Sequence, residues 1–419
     1  MTTTLENPAS KRPRSHLDAL ADRWTARRLR SILCLDDFEP AARRVLPRPL
    51  FGYVAGAAET NAALANNRAA YAAYGLVPRT LVDASKRHTS KTLLGRVWAR
   101  PFGIPPMGLS SLMAYRGDLV LAEAARRADL PMILSATSLI PLEEVAEVSP
   151  GGWYQAYLPG DERRIDAMMD RVEAAGYETF VLTVDVAVTP NRENNVRNGF
   201  STPLKPSLRL GFDGAIRPEW TFGTLGRTLL RHGMPHFENG DAFRGAPIFS
   251  RNAARNFEGR DALAWPHFER MRRRWKGKFV VKGILHPGDA VRAVEGGADA
   301  IVLSNHGGRQ LDGALSGLTV LPEIRRAIGR QAEIVVDGGI RRGTDVMKAL
   351  ALGADFAFVG RPFLYAAAIG GGAGVDHAIG LLASEIERNM ALIGITDLDQ
   401  LDESYVRRLD GLPIGGARA

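Results

Sequence analysis

With 419 residues, 45% hydrophobic and 24% charged, the chain has the composition of a soluble globular protein and the length for one large α/β barrel with added segments. Its single cysteine, Cys34, excludes an internal disulfide and any cysteine-based metal cluster, and no metal is expected. The net charge is +8, and residues 186–278 alone carry 17 Lys+Arg against 8 Asp+Glu, a balance of +9 that could draw nucleic acid, a membrane surface or an acidic partner.

Residues 1–14 are polar and lack the apolar core of a secretion signal, so they read as a loose tail. No apolar run stands out as long enough to span a membrane. Residues 15–50 read as helical, with amphipathic stretches around Leu17, Leu20 and Trp24 and around Phe38, Ala42 and Val45, ended by Pro47 and Pro49. A further helix is expected up to Tyr74, and a short strand from Leu93 to Val97.

From residue 102, apolar strand-like runs alternate with helical patterns: 102–108, 132–137, 153–158, 179–185, 278–284, 300–306, 333–339 and 356–362. Helical segments are expected at 119–128, 142–148, 163–175, 287–296, 321–328 and 344–352. Eight such units predict a (β/α)8 TIM barrel with an N-terminal helical segment and a long loop after strand 4. The ends of the runs turn polar or glycine-rich: Gly108, Ser135 with Thr137, Gln155 with Tyr157, Thr183 with Asp185, Lys282, His306, Asp337, and Gly360 with Arg361. A barrel gathers these ends on one face, whereas an open doubly wound sheet would spread them along two edges. The predicted organisation is a tail and helix over 1–34, the barrel over 35–405, and a C-terminal tail over 406–419. Within the barrel, 186–277 forms a long basic loop on the active face, read as a lid or docking element.

The run Ser304-Asn305-His306-Gly307-Gly308-Arg309-Gln310-Leu311-Asp312-Gly313 carries the sharpest signal. Its glycines permit a tight turn, on which His306 can take a proton while Arg309 grips a carboxylate with its planar fork. Asp185 is an available partner for His306 and would raise its affinity for a proton. Lys282 could be a lysine paired with a carboxylate, or a fixed cation beside a cofactor that becomes anionic. Asp337-Gly338-Gly339-Ile340-Arg341 and Gly360-Arg361 close the seventh and eighth runs, a frequent phosphate corner in barrels.

These motifs resemble the FMN-dependent L-2-hydroxy acid dehydrogenases and oxidases, a family that includes glycolate oxidase, lactate dehydrogenases and oxidases, and mandelate dehydrogenase. The resemblance implies FMN as cofactor, His306 as base with Asp185 as its partner, and Tyr157 near the substrate oxygen. It implies that Arg309, Tyr53 and Arg192 hold the substrate carboxylate. Lys282 would lie beside the flavin, with Ser135, Gln155, Thr183 and Ser304 around the ring and Pro106, Met107 and Gly108 against it. Asp337 would hold the ribityl chain, and Gly339, Arg341, Gly360 and Arg361 the phosphate. Gly108 and Thr137 stand where many members carry larger residues, which suggests a wider substrate pocket. The segment from Asp185 to Val188 and Arg231 to Pro235 are similar to bacterial mandelate dehydrogenases, and Leu303 to Gly313 to lactate dehydrogenases.

The resulting expectation is oxidation of a lactate- or mandelate-like L-2-hydroxy acid by a homotetramer. Electrons would pass to a quinone, with the basic loop resting peripherally on the inner face of the cell membrane around an otherwise cytoplasmic protein. The alternative is an oxidase that uses O2 and produces H2O2. A nucleic-acid-binding barrel is the remote alternative, since no nucleic-acid motif accompanies the basic loop. A barrel of the inosine-monophosphate dehydrogenase type needs a catalytic cysteine in a barrel loop, and Cys34 lies before the barrel.

Overall fold

Along each central strand, side chains alternate between the barrel interior and the surrounding helices, as a two-residue period requires. The computed structural model describes residues 16–201, 208–250 and 258–411. Its barrel strands are β1 (Phe102–Gly103), β2 (Ile133–Ser135), β3 (Trp153–Ala156), β4 (Thr179–Thr183), β5 (Lys278–Ile284), β6 (Ala300–Leu303), β7 (Glu333–Asp337) and β8 (Phe356–Phe358). All neighbours pair in parallel, with β1 beside β8 and every other strand beside its sequence neighbours. Between β1 and β2 the sheet closes through one bridge, Ile104 with Met132, where the Ile133 amide donates to the Ile104 carbonyl at 3.0 Å.

Ile133, Trp153, Val181, Val280, Val302 and Val335 form the inner core with Phe356 and Phe358. Two residues further along, on the same face, stand Ser135, Gln155, Thr183, Lys282, Ser304 and Asp337, all buried. The alternation therefore stacks a polar layer directly above an apolar one. A hairpin, Lys91–Leu93 with Arg96–Trp98, adds Leu93 and Trp98 to the inner core and closes the bottom of the barrel. The expected strand over 93–97 is the turn and second arm of that hairpin. Outward-facing Phe180, Leu182, Phe279, Val281, Ile301 and Leu303 pack under the helices.

Three features differ from the sequence expectation. Helix Phe38–Val45 ends just before Pro47, as expected, but the prolines also begin another helix, Arg48–Ala55, with Pro49 in its first turn where a missing N–H costs nothing. The loop after β4 contains the regular barrel helix Trp265–Arg274, as well as helices Glu193–Asn198, Leu208–Ala215 and Arg227–His232. Residues Val406–Arg408 pair with Tyr74–Leu76, so ordered structure runs past 405. The final helix, Arg361–Ile393, breaks at Gly371 and is long and apolar enough by length and composition to cross a membrane. Half of that stretch is buried, and it packs on helices Gly117–Arg127 and Phe38–Val45. Phe38, Ala42 and Val45 are buried as expected, whereas Trp24 is exposed. Residues 1–14, Leu17 and Leu20 lie outside the described side chains.

The long segment is anchored. Asn239 accepts from the Leu142 amide at 2.9 Å and donates to the Ile140 carbonyl at 2.8 Å. The indole of buried Trp220 donates to the Leu112 carbonyl at 2.7 Å. Arg28 of helix His16–Arg30 forks onto both oxygens of Glu219 at 2.8 Å and reaches the Ile369 carbonyl at 2.9 Å, tying three parts of the chain together.

Phe180 is fully buried among Phe279, Trp275 and Tyr154, with ring centroids 5.4–6.0 Å away. We expect Phe180→Ala to lower unfolding free energy by about 3–5 kcal/mol, read as a lower urea midpoint at unchanged slope.

Candidate active site

Lys282 and Asp337 of the polar layer, with the loops above it, line one cavity at the C-terminal ends of the strands. At its floor the Lys282 ammonium donates to Ser304 Oγ at 2.7 Å and lies 3.2 Å from Asp337 Oδ2. Burial opposes this charge, but Asp337 and Asp185 outweigh burial and hold the lysine above its ordinary range. The structure thus shows the lysine paired with a carboxylate, the first of the two sequence readings.

His306 follows β6 on a turn in which three successive residues, His306, Gly307 and Gly308, have positive φ of 58°, 65° and 77°. For histidine this left-handed geometry carries strain of roughly 1 kcal/mol or more. The turn is held by Asn305, whose Oδ1 accepts from the Gly308 amide at 3.0 Å and whose amide pairs reciprocally with Asn67, both contacts 2.8 Å. A Cβ on Gly308 would come within 2.6 Å of the Leu64 amide, so only glycine fits there. His306 Nδ1 lies 2.9 Å from Asp185 Oδ1, and the Tyr157 hydroxyl lies 3.1 Å from Nε2.

A proton on Nδ1, donated to Asp185, leaves Nε2 with a lone pair that accepts from Tyr157. Burial lowers the histidine's proton affinity further than Asp185 raises it, so the net shift is downward, opposite to the sequence expectation. Asp185 is held below its ordinary range because His306 and Lys282 outweigh its burial. Burial pushes the Tyr157 hydroxyl up to about 12. At neutral pH the trio is a carboxylate, a neutral imidazole and a neutral phenol.

Two arginines face the histidine. Arg309 bonds the carbonyls of Tyr53 (2.5 Å) and Gly56 (2.8 Å), and its guanidinium sits 4.7 Å from the Tyr53 ring centroid. Arg192 reaches the Arg309 carbonyl at 3.1 Å and Gln310 Oε1 at 2.9 Å; burial and the nearby Arg309 push it down to about 10. At the corner between β7 and β8, Arg361 bonds the Val54 and Gly307 carbonyls at 2.9 Å, and burial pushes it down to about 9. Arg341 is buried beside it, its charge disfavoured by that burial. Gly339 adopts φ 85°, and a Cβ there would lie 2.1 Å from the Asn67 carbonyl oxygen, leaving the corner's backbone bare. Arg341 has Asp36 3.5 Å away, whereas Arg361 pairs with no carboxylate among the described residues, and a buried cation of that kind is costly unless an anion joins it.

The cavity wall holds Pro106, Met107, Gly108, Tyr53, Tyr157 and Gly360 together with these charged groups; Ser135, Gln155, Thr183 and Ser304 form the buried layer below. Gln155 Nε2, Thr183 Oγ1 and Asp337 Oδ1 are buried without a hydrogen-bond partner. Such orphaned groups are available to a bound polar molecule. The room expected at Gly108 is occupied: a Cβ on Gly108 would sit 2.0 Å from Thr137 Oγ1, so threonine fills the space that glycine vacates. Sequence reasoning missed Asn67, Gln310 and Arg260. Arg260 lies in the irregular segment, yet its guanidinium sits 4.5 Å from the Tyr157 ring centroid and lines this cavity.

Residues 42–408 match the FMN-dependent dehydrogenase family. The chain is 36% identical to an L-lactate oxidase of Lysinibacillus sphaericus, covering 91% of this chain and 94% of the relative. It is 35% identical to an (S)-mandelate dehydrogenase of Pseudomonas putida, covering 89% and 93%. The crystal structure of a monotopic membrane (S)-mandelate dehydrogenase superposes with a TM-score of 0.80 at 33% identity, covering 90% of this chain and 99% of that one. An anion corner at one end and orphaned amide, hydroxyl and carboxylate groups along the floor fit the phosphate, ribityl chain and ring of FMN.

Because burial outweighs Asp185, the His306 imidazole should titrate below about 6.5 by 15N NMR, and Asp185→Asn should lower the midpoint further. The folded-state value lies below the unfolded one. The histidine's contribution therefore disfavours folding as pH falls through about 6.5, and the loss is complete below the folded midpoint.

Proposed function

We propose a role for each site residue from one premise: the chain belongs to the FMN-dependent dehydrogenase family. It oxidises an L-2-hydroxy acid to the 2-oxo acid. The observation that carries the proposed roles is His306, its Nδ1 bound to Asp185 at 2.9 Å, standing beside Arg309 and Arg192 on the barrel's C-terminal face. FMN, when bound, supplies the acceptor for the two electrons that leave the substrate.

The chain's own groups do the rest. Arg309 and Arg192, with Tyr53, clamp the carboxylate and so fix which carbon faces the cofactor. His306 Nε2 takes a proton from the substrate, and the resulting imidazolium is stabilised by Asp185. Tyr157 gives its hydrogen bond to the substrate oxygen once Nε2 is occupied. Lys282 holds a fixed positive charge where negative charge arrives. Ser135, Gln155, Thr183 and Ser304 would bond the ring, Asp337 the ribityl chain, and Gly339, Arg341, Gly360 and Arg361 the phosphate. Pro106 and Met107 would press against the ring.

The substrate is of the lactate or mandelate type, and the electrons leave to a quinone at a membrane surface. Two features of the loop after β4 support the surface contact: the +9 balance of residues 186–278, and exposed Phe212, Phe222 and Leu230 in a stretch that also carries Arg217, Arg227 and Arg231. Cations with apolar side chains bind an anionic lipid interface peripherally. Transfer to O2 is the second reading, favoured by the likeness to an L-lactate oxidase.

Anaerobic L-lactate or L-mandelate should bleach the oxidised-flavin spectrum, and a quinone analogue should restore it faster than air does. A spectrum untouched by both acids overturns the reading. His306→Gln should retain the flavin yet slow bleaching roughly 10²- to 10⁴-fold. Intact protein should sediment with anionic vesicles at low salt and be released as salt rises. Failure to sediment at low salt removes the membrane contact.

A further inference from the structure

Two loops carry the cavity wall that would face the cofactor: the one after β1, with Pro106, Met107 and Gly108, and the one after β2, with Thr137. The Leu109 amide joins them by donating to the Thr137 carbonyl at 3.2 Å. The segment that continues from the first loop begins and ends in left-handed geometry at residues other than glycine, Leu109 with φ 58° and Arg116 with φ 55°. Such geometry is strained for residues with a side chain, so contacts from outside the segment have to hold it.

The group placed to do so is a buried carboxylate. Asp118, in the first turn of helix Gly117–Arg127, is 1% exposed and pairs with no cation among the described residues. Ser111 Oγ donates to its Oδ2 at 2.8 Å, and the hydroxyls of Ser138 and Ser110 stand beside it as well. Ser110 donates to the Met107 carbonyl at 2.7 Å, and Ser138 directly follows Thr137. One carboxylate therefore sits among serines from both loops. A Cβ on Gly117 would lie 2.2 Å from the Ser110 carbonyl oxygen, so the helix that carries Asp118 lies flush against the segment. Burial pushes the carboxyl up to about 6 against the pull of the serines, and the charged form still prevails at neutral pH. An acid gains from a helix N-terminus without being buried, whereas a buried charge met by hydroxyls alone is costly.

We propose that Asp118 is a positioning residue for the oxidation: through Ser111, Ser110 and Ser138 its carboxylate fixes the loops after β1 and β2, and with them Met107, Gly108 and Thr137, against the flavin. The inference rests on the reading of the cavity as an FMN site given above, and it involves no residue of the carboxylate clamp, the base or the phosphate corner. Asp118 touches no reacting atom. It sets how closely the wall presses on the ring, and small errors in that placement slow a reaction that depends on close approach. An acid that served only the start of its helix would affect stability and leave the flavin unchanged.

Asp118→Asn keeps the shape and removes the charge, while Ser111→Ala removes the donor and leaves the helix start intact. In each holoenzyme, anaerobic flavin reduction by L-lactate or L-mandelate, whichever bleaches the intact enzyme faster, should slow roughly three- to thirtyfold. KM for that acid should not change, because the arginine clamp is untouched. The visible spectrum of the bound oxidised flavin should shift. FMN should leave the diluted holoenzyme more readily, read from the rise of free-flavin fluorescence as a dissociation constant roughly three- to tenfold higher. The double variant should lose no more than the worse single one, since both act through one contact. If Asp118→Asn does not fold, Ser111→Ala carries the same spectral and binding expectations. Folded variants with an unchanged spectrum, FMN affinity and reduction rate overturn the proposal. A loss carried by KM, or losses that multiply in the double variant, also overturn it. An intact enzyme whose bound flavin neither acid bleaches overturns the parent reading, and the spectrum and FMN affinity of the variants still decide the role of Asp118.

Discussion

Lys282 is buried at the top of a hydrophobic strand, and an ammonium ion there has to be surrounded by groups that repay its lost water. Ser304 from the end of β6 and Asp337 from the end of β7 supply them, so one ion holds three strand ends in register at the layer where the cavity begins. Asp185, beyond β4, feels the same charge and stays ionised, which in turn fixes the tautomer of His306. Replacing the lysine would leave Asp337 as an uncompensated buried carboxylate. The floor of the cavity, the register of the strands and the protonation of the base are therefore linked electrostatically.

The cavity above that floor is dominated by cations. Arg192 and Arg361 have their charge disfavoured by burial, and Asp337 and Asp185 are already engaged with Lys282 and His306. A site of this kind favours anionic ligands. The strain in the His306 turn has a matching logic: the left-handed residues aim the imidazole inward while Asn305 and Asn67 hold the turn from outside the cavity. The asparagine pair touches no reacting atom, yet it carries the geometry of the base.

The barrel strands were legible because β-branched runs with a two-residue period have one plausible fate in a closed sheet, and the polar residue two positions after each inner apolar one marks the active layer. Helix Trp265–Arg274 was not legible: only Phe268 and Met271 are buried along it, too thin an apolar stripe to stand out among arginines. Pro47 and Pro49 misled because a proline that stops one helix also suits the first turn of the next. The direction of the His306 shift depends on how much water the folded cavity excludes, which no local spacing reports. Gly108 looked like open space, and only the three-dimensional contact with Thr137 shows it filled. Arg260 lies 75 positions after Asp185 in a segment with no periodic pattern, so its arrival over Tyr157 is purely tertiary.

The single bridge between Ile104 and Met132 gives the barrel a seam. Every other junction is a ladder of two or more paired residues, whereas here one bridge and its two hydrogen bonds carry the closure. The loop that begins at Pro105 lines the cavity immediately beyond that seam. Beyond the seam, the cavity wall is therefore carried by the loop itself and not by a strand ladder, while the charged floor rests on the continuous ladders of β4 to β7.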